Sequence, residues 1–332
     1  MAGNRTIGAR SRVLLVLGAG AAQLGLLEAA REAGCFTIAV DRDPLAPGFQ
    51  VADRRAIVST EDEPAIERLA RAEDIGGVIS PGSDWPVGVA ARIAEKLRLA
   101  HPISAETAVL ATSKMRQRER FAAAGVPQPR SVVCRDLAEA EAAVEEIGYP
   151  CVLKAPDRQG QKGLALVREP EELPAAVALA LGAARAPLCL VEEAVAGPEI
   201  TVNAFSVGGR FIPLTVTDRL VAEPPAFGGA LAHVWPSEHA VEAAVDAARA
   251  AAEALDVLDG PSYTQLLLGP DGPRVGELAA RLGGGHDAEL CREALGVDLN
   301  ALAVSAALGE ELGPIEPSPQ VGGAAMRFLV AP

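Results

Sequence analysis

Aromatic residues are scarce: Phe, Tyr and Trp together make up 3% of the 332 residues. A core built from this chain must rest on Ala, Leu and Val rather than on ring packing. Cysteine is sparse and odd in number. Cys35, Cys134, Cys151, Cys189 and Cys291 include no C-x-x-C pair. That excludes a disulfide framework and a cysteine zinc site, and it fits a reducing cytoplasm. No apolar run reaches the ~18 residues of a membrane span. Basic runs are missing as well. The balance of 30 Lys+Arg against 44 Asp+Glu gives a net charge of −14, which repels nucleic acid and acidic membranes. The 33 glycines and 25 prolines follow no three-residue period, so a collagen-like chain is excluded. No Ser-His or Cys-His constellation marks a nucleophilic enzyme. What remains is a globular composition, 49% hydrophobic and 22% charged, with enough material for about two domains.

The order of elements gives the fold class. Residues 1–10 read as a disordered leader. Arg5, Arg10 and Arg12 before the apolar Val13–Leu17 imitate a secretory signal, but Gln23–Arg31 continues as a helix pattern. A strand, the turn Gly18-Ala19-Gly20 and a helix is the better reading. Strands near 37–40, 57–58 and 77–80 alternate with helices up to about Leu99, which predicts a doubly wound parallel sheet. After the breaker Gly125-Val126-Pro127-Gln128-Pro129, short strands at 131–134, 150–155, 164–167 and 188–192 predict a small α+β lobe. From Ile200 the strands lengthen, with a hairpin at Gly208-Gly209 and another around Pro270-Asp271-Gly272. A last strand is expected at 324–330.

Three patterns carry chemistry. Gly18 and Gly20 followed by Asp41 resemble part of a dinucleotide fingerprint, but Gln23 stands where a third glycine belongs. Lys154 ends the apolar run Tyr149-Pro150-Cys151-Val152-Leu153. A buried ammonium needs a partner, so either the strand is an exposed edge or an anion waits there. The loop Gly160-Gln161-Lys162-Gly163 is flexible and basic, suited to phosphate oxygens, though it lacks the Walker pattern. In the second hairpin, a turn centred on Asp271 sets Gln265 directly across from Glu277, and a one-residue bulge would break that register. Alternation then puts Glu277, Ala279 and Arg281 on one face.

Taken in order, the motifs resemble the ATP-grasp superfamily, in the branch of carboxylate–amine ligases and carbamoyl-phosphate synthetase. The resemblance runs from about Val13 to the end. Its quoted segments are Thr112–Arg118 with Ala124-Gly125-Val126-Pro127, Tyr149–Lys154, Gly160–Gly163, Leu190–Glu199, and Glu277–His286. It implies an N-terminal α/β domain over 1–110 and a two-lobed ATP-grasp unit over 111–332. The small lobe spans about 125–190 and the large lobe about 193–332. It further implies that Lys114 and Lys154 hold nucleotide phosphates and that Gly160, Lys162 and Gly163 close over them. Glu192 and the backbones of Glu193 and Val195 would read adenine, and Glu199 the ribose. Glu277 and Gln265 would hold Mg2+, and Arg281 with Lys154 would act on the reacting group.

The implied activity is an ATP-dependent ligase that activates a carboxylate as an acyl-phosphate and joins it to an amine. ATP and Mg2+ are the implied cofactors, small-molecule acids and amines the partners, and the cytoplasm the compartment. A homodimer is compatible with this. Two departures stand out: the family usually has a carboxylate at Gln265 and often an asparagine at Ala279. They keep open a weakly catalytic ATP-binding protein, and an ATP-dependent carboxylase is a further alternative. Arg219 reads either as a contact for a substrate carboxylate or as a solvated loop charge. His286 reads as a substrate contact or as the residue before a helix cap at Asp287, while His233 carries no signal. Met326–Pro332 resembles a strand after which relatives continue. The chain is therefore either cut short there or closes its substrate site differently, for example with a partner subunit.

Overall fold

A computed structural model describes residues 11–158, 160–222 and 228–329. The leader expected at 1–10 and the end of the last expected strand lie outside the described residues. The chain divides into two compact units, formed by the described parts of Met1–Ala105 with Asn300–Pro314, and of Glu106–Leu299 with Ile315–Pro332.

The first unit is a parallel sheet flanked by helices. Its strands are β1 (Val13–Leu17), β2 (Phe36–Asp41), β3 (Arg54–Ile57) and β4 (Gly77–Ile79), in the order β3-β2-β1-β4. Helix α1 (Leu24–Glu32) connects β1 to β2, α2 (Glu63–Ala72) connects β3 to β4, and α3 (Asp84–Leu97) follows β4. Leu15, Leu17, Ile38 and Val40 pack against Ile66 and Ile93, as a doubly wound sheet requires. The glycine turn after β1 is filled by the chain's own groups. Asp41 accepts a hydrogen bond from the Ala19 amide at 2.9 Å instead of awaiting a ribose. Gln23 lies under Gly18 and donates to the Pro81 carbonyl at 2.7 Å.

In the second unit, α4 (Ala105–Ala111) and α5 (Lys114–Ala124) lead into a small lobe. The Ser113 hydroxyl caps α5, and Gly125, with φ of 70°, ends it. The small lobe is an antiparallel sheet of β5 (Ser131–Cys134), β6 (Cys151–Lys154), β7 (Ala165–Val167) and β8 (Cys189–Glu193), ordered β5-β8-β6-β7. It is covered by α6 (Leu137–Ile147) and α7 (Leu173–Ala183), the second of which no sequence pattern marks. Cys134, Cys151 and Cys189 are fully buried in this lobe with Leu153 and Val191, as small apolar groups in a core short of aromatics.

The large lobe is a six-stranded antiparallel sheet ordered β13-β12-β9-β10-β11-β14. Its strands are β9 (Glu199–Val207), β10 (Arg210–Val221), β11 (Ala230–Trp235), β12 (Gly260–Gly269), β13 (Gly272–Ala279) and β14 (Ala324–Arg327). Strand β11 was not legible in the sequence. Helix α8 (Glu242–Ala254) buries an alanine face against the sheet and α9 (Asp287–Leu295) follows, whereas α10 (Leu299–Leu308) belongs, from Asn300 on, to the first unit. Along β9, Ile200, Val202 and Ala204 alternate with Glu199, Thr201 and Asn203. One face of the sheet is therefore apolar and the other polar.

Gly197 fixes where β9 begins. It has φ of 154°, and a Cβ there would lie 2.0 Å from the Leu268 carbonyl oxygen. Gly197→Ala is expected to destabilise the chain by about 1–3 kcal/mol, read by urea denaturation. Gly182→Ala in α7, where a Cβ meets nothing within 4 Å, should be neutral or stabilising by up to about 1 kcal/mol.

Candidate functional site

Helix α5 sets the charges between the lobes. Lys114 and Arg118, one turn apart, project from the same side. Arg118 is buried and donates from Nε to Glu192 Oε1 at 2.7 Å. The rest of its guanidinium donates to the carbonyls of Val275 at 3.1 Å and Gly276 at 2.6 Å. Next to it, Gln117 donates to the Leu278 carbonyl at 2.8 Å and accepts from the Leu278 amide at 3.0 Å. Strand β13 is the sheet's edge, and these two side chains occupy backbone groups that an edge would leave bare.

The other oxygen of Glu192 meets Lys154 Nζ at 2.5 Å. Lys154 is thus not on an exposed edge: β6 lies inside the sheet, and its ammonium has an internal partner. Burial opposes the charge on Glu192. Arg118 first and Lys154 second outweigh that and hold the carboxyl at about 2, below its ordinary 4.5. Burial pushes Lys154 downward, with Glu192 opposing. Both Glu192 oxygens are engaged by cations, whereas the expectation aimed this side chain at adenine. Residues 194–197 make no backbone–backbone hydrogen bond among the described residues. Val195, whose backbone was expected to read adenine, lies in this segment. Glu193 donates its amide to the Arg130 carbonyl at 3.0 Å. Val195 packs on Gly269.

Lys114 reaches Glu277 Oε2 at 3.0 Å and the Arg158 carbonyl at 2.8 Å. Glu277 is opposed by its burial but held below the usual carboxylate range by Lys114, then Lys154 and Arg281. Gln265 does pair with Glu277, by a route other than the one expected. The turn has two central residues rather than one, since Gly269 pairs with Gly272, and a register shift after Gln265 restores the pairing. The bulge makes the register instead of breaking it. Arg281 lies past the end of β13, yet its guanidinium carbon rests 5.8 Å from the Tyr263 ring centroid. Tyr263 pairs with Ala279, so Arg281 remains on the face of Glu277.

Gln265 donates to Glu199 Oε2 at 2.8 Å. Arg219 holds the same oxygen and also donates to the Gly228 carbonyl at 2.8 Å. It is neither a solvated loop charge nor aimed at an open space: it is a strand residue directly across from Glu199. In the basic loop, Gly160 and Gly163 have φ of 65° and 75°. Gly163 has a second reason to be glycine, because a Cβ would lie 2.7 Å from Ala183 Cβ. Lys162 is exposed. One buried pair had no sequence signal. His233 Nδ1 lies 3.0 Å from Asp287 Oδ1 beneath the loop Gly283–Gly285. A Cβ on Gly283 would sit 2.1 Å from Asp287 Oδ2, and one on Gly285 3.0 Å from His233 Nε2. His286 has φ of 59° and stands just before α9, where its side chain makes no cap.

A site that gathers Lys114, Lys154, Arg118 and Arg281 around Glu192 and Glu277, between two antiparallel lobes, suits an anionic nucleotide. Residues 113–207 match the family model described as carbamoyl-phosphate synthase L chain, ATP binding domain. The fold is that of the ATP-grasp proteins. It is 30% identical to protein y4rH of Sinorhizobium fredii over 86% of this chain and 61% of that protein. It is 33% identical to the formate-dependent phosphoribosylglycinamide formyltransferase of Mycolicibacterium smegmatis over 53% of this chain and 44% of that one. The fold also matches the biotin carboxylase domain of Hydrogenobacter thermophilus 2-oxoglutarate carboxylase, solved with MgADP and bicarbonate. The TM-score is 0.81 at 20% identity, covering 96% of this chain and 74% of that one. The chain thus spans less than two thirds of the length of these curated relatives.

Arg118→Met is expected to cost about 3–5 kcal/mol, because it leaves the buried Glu192 with one cation fewer; thermal unfolding reads it. Acid should act through the same carboxylate. An unfolded glutamate titrates near 4.5 and the folded one near 2, so stability present above pH 4.5 is lost as pH falls toward 2. Denaturant midpoints between pH 2.5 and 7 should fall less steeply in that window for Glu192→Gln, from a lower value at neutral pH.

Proposed function

We propose that the chain is an ATP-dependent ligase that activates a carboxylate as an acyl-phosphate and joins it to an amine. The observation that carries this is the convergence of Lys114, Lys154 and Arg281 on Glu277 at the join of the two lobes. The two-lobed unit is the ATP-grasp unit of this reading. In it, Lys114 and Lys154 bind the phosphates, Lys162 with Gly160 and Gly163 covers them, Glu199 takes the ribose, and Arg281 steadies the transferring group.

The donor set fits magnesium. Glu277 offers a carboxylate and Gln265, directly across from it, an amide oxygen. Magnesium is commonly held by one or two carboxylates with water and substrate phosphates supplying the rest. When bound it would neutralise phosphate charge. The chain's own contribution is positioning and charge, with no protein nucleophile. A substrate carboxylate oxygen attacks the γ-phosphorus, the bond to the β-phosphate oxygen breaks, and ADP leaves. An amine then displaces phosphate to form the amide. A covered site keeps water from the acyl-phosphate.

Gln265 and Ala279 favour a second reading, a nucleotide-binding protein of the same fold with weak turnover. A bicarbonate-using carboxylase is the other relative reading. ADP formation across pooled carboxylic acids and amines, with and without bicarbonate, separates the three, and mass spectrometry identifies the product. Substrate-dependent ADP release with a new amide is the expected result. Lys154→Ala should lower the rate by about 10²–10³-fold, and an unchanged rate in that variant would sink the assignment.

A further inference from the structure

Arg219 has a use that neither a ribose acid nor a phosphate loop by itself would require. Its guanidinium donates through one nitrogen to Glu199 Oε2 and through the other to the Gly228 carbonyl at 2.8 Å. The same carbonyl accepts from Gln161 Nε2, also at 2.8 Å. Gln161 lies between Gly160 and Lys162 in the basic loop of the small lobe, while Gly228 stands just before β11 of the large lobe. An unbroken path of hydrogen bonds therefore runs from the exposed loop, through one backbone oxygen, to the carboxylate of Glu199. Leu164 adds an apolar contact at the same point, since a Cβ on Gly228 would lie 3.3 Å from its Cδ2. Backbone shape favours the contact as well. Gly160, Gln161, Gly163 and Gly228 all have φ between 63° and 81°, so the loop turns its Gln161 amide toward the large lobe at some conformational cost.

We propose that Arg219 is a positioning residue that couples the two ends of the nucleotide: it fixes Glu199 and, through Gly228 and Gln161, ties the phosphate-covering loop to it. Closing the loop and holding the ribose acid then become one event. An arginine is required because only its planar fork serves a carboxylate and a carbonyl at once. A lysine at 219 keeps the charge beside Glu199 but cannot hold both partners in this geometry. The coupling rests on the nucleotide reading above; the contact itself does not, and the test separates the two.

The variants are Gln161→Met, which keeps length and removes the donor, Arg219→Lys, and the pair together. Thermal unfolding should change little, since Gln161 is exposed and Glu199 keeps a cation. In ligand-free protein, brief trypsin digestion read by mass spectrometry should show cleavage after Lys162 at least about threefold faster in each single variant. Titration calorimetry with ATP should show about three- to tenfold weaker binding in each, and no further loss in the double variant, as partners in one network behave. Unchanged cleavage in both single variants overturns the clasp. ATP losses that multiply in the double variant overturn the coupling. Absence of ATP binding by the unaltered protein overturns the nucleotide reading, while the digestion still judges the clasp.

Discussion

The buried carboxylate of Glu192 constrains everything around it. An ionised group out of water needs close compensation on more than one side, and Glu192 receives Arg118 on one oxygen and Lys154 on the other. Those cations come from separate elements. Arg118 belongs to α5, Lys154 to β6, Glu192 to β8, and the guanidinium goes on to cap two carbonyls of β13. One charge thereby fixes the spacing of an entry helix, two strands of the small lobe and the edge of the large lobe. Lys154 is positioned twice, by its strand and by its partner. On the proposed function, a phosphate arriving there would meet an ammonium whose direction is already set, so little reorganisation would accompany binding.

The large lobe solves a different problem, presenting polar groups from a sheet that must also hold a core. Alternation along β9 sends Ile200, Val202 and Ala204 to one side and Glu199, Thr201 and Asn203 to the other. The polar side satisfies itself laterally: Thr201 with Thr217 at 2.6 Å, Asn203 with Thr215 and Asp287 at 3.3 Å each. Asp287 in turn fills the space under Gly283 and His233 the space under Gly285. The run of three glycines after Arg281 is therefore set partly by what lies beneath it. A side chain at Gly283 or Gly285 would have to displace the buried Asp287 or His233 side chain.

Much of this was legible in the sequence where a local rule governed it. The alternation of strand and helix from Val13 predicted the parallel sheet, and Gly208-Gly209 marked a hairpin that pairs as expected, with Arg210 opposite Val207. The facing of Gln265 and Glu277 was read from the hairpin, though the actual turn has two central residues instead of one and a bulge compensates. What stayed hidden depends on tertiary partners. Arg118 sits in Lys114-Met115-Arg116-Gln117-Arg118-Glu119-Arg120, a stretch with no apolar stripe to reveal which polar residues turn inward. Arg219 and His233 lie on strands whose pairing only the folded sheet defines. Helix α7 is apolar nearly all round, which erases the 3.6-residue period that would announce it.

Gln265 shows how a neutral residue can reorganise an acidic site. A carboxylate there would face Glu277 across the hairpin and stand beside Glu199, placing three negative groups within contact range. The amide removes that repulsion and does something a carboxylate could not: it donates a hydrogen bond to Glu199. The loss is one charge from the face that would receive a cation; the gain is a Glu199 fixed from two sides, by Gln265 and by Arg219. Around Glu277 the balance then tips toward the cations, with Lys114 in contact and Lys154 and Arg281 close by. The chain carries −14 overall, yet these three cations all act on one carboxylate. On the proposed function, charge neutralisation of a bound polyphosphate would depend more on lysine and arginine, and less on metal-holding acids, than a second carboxylate would allow.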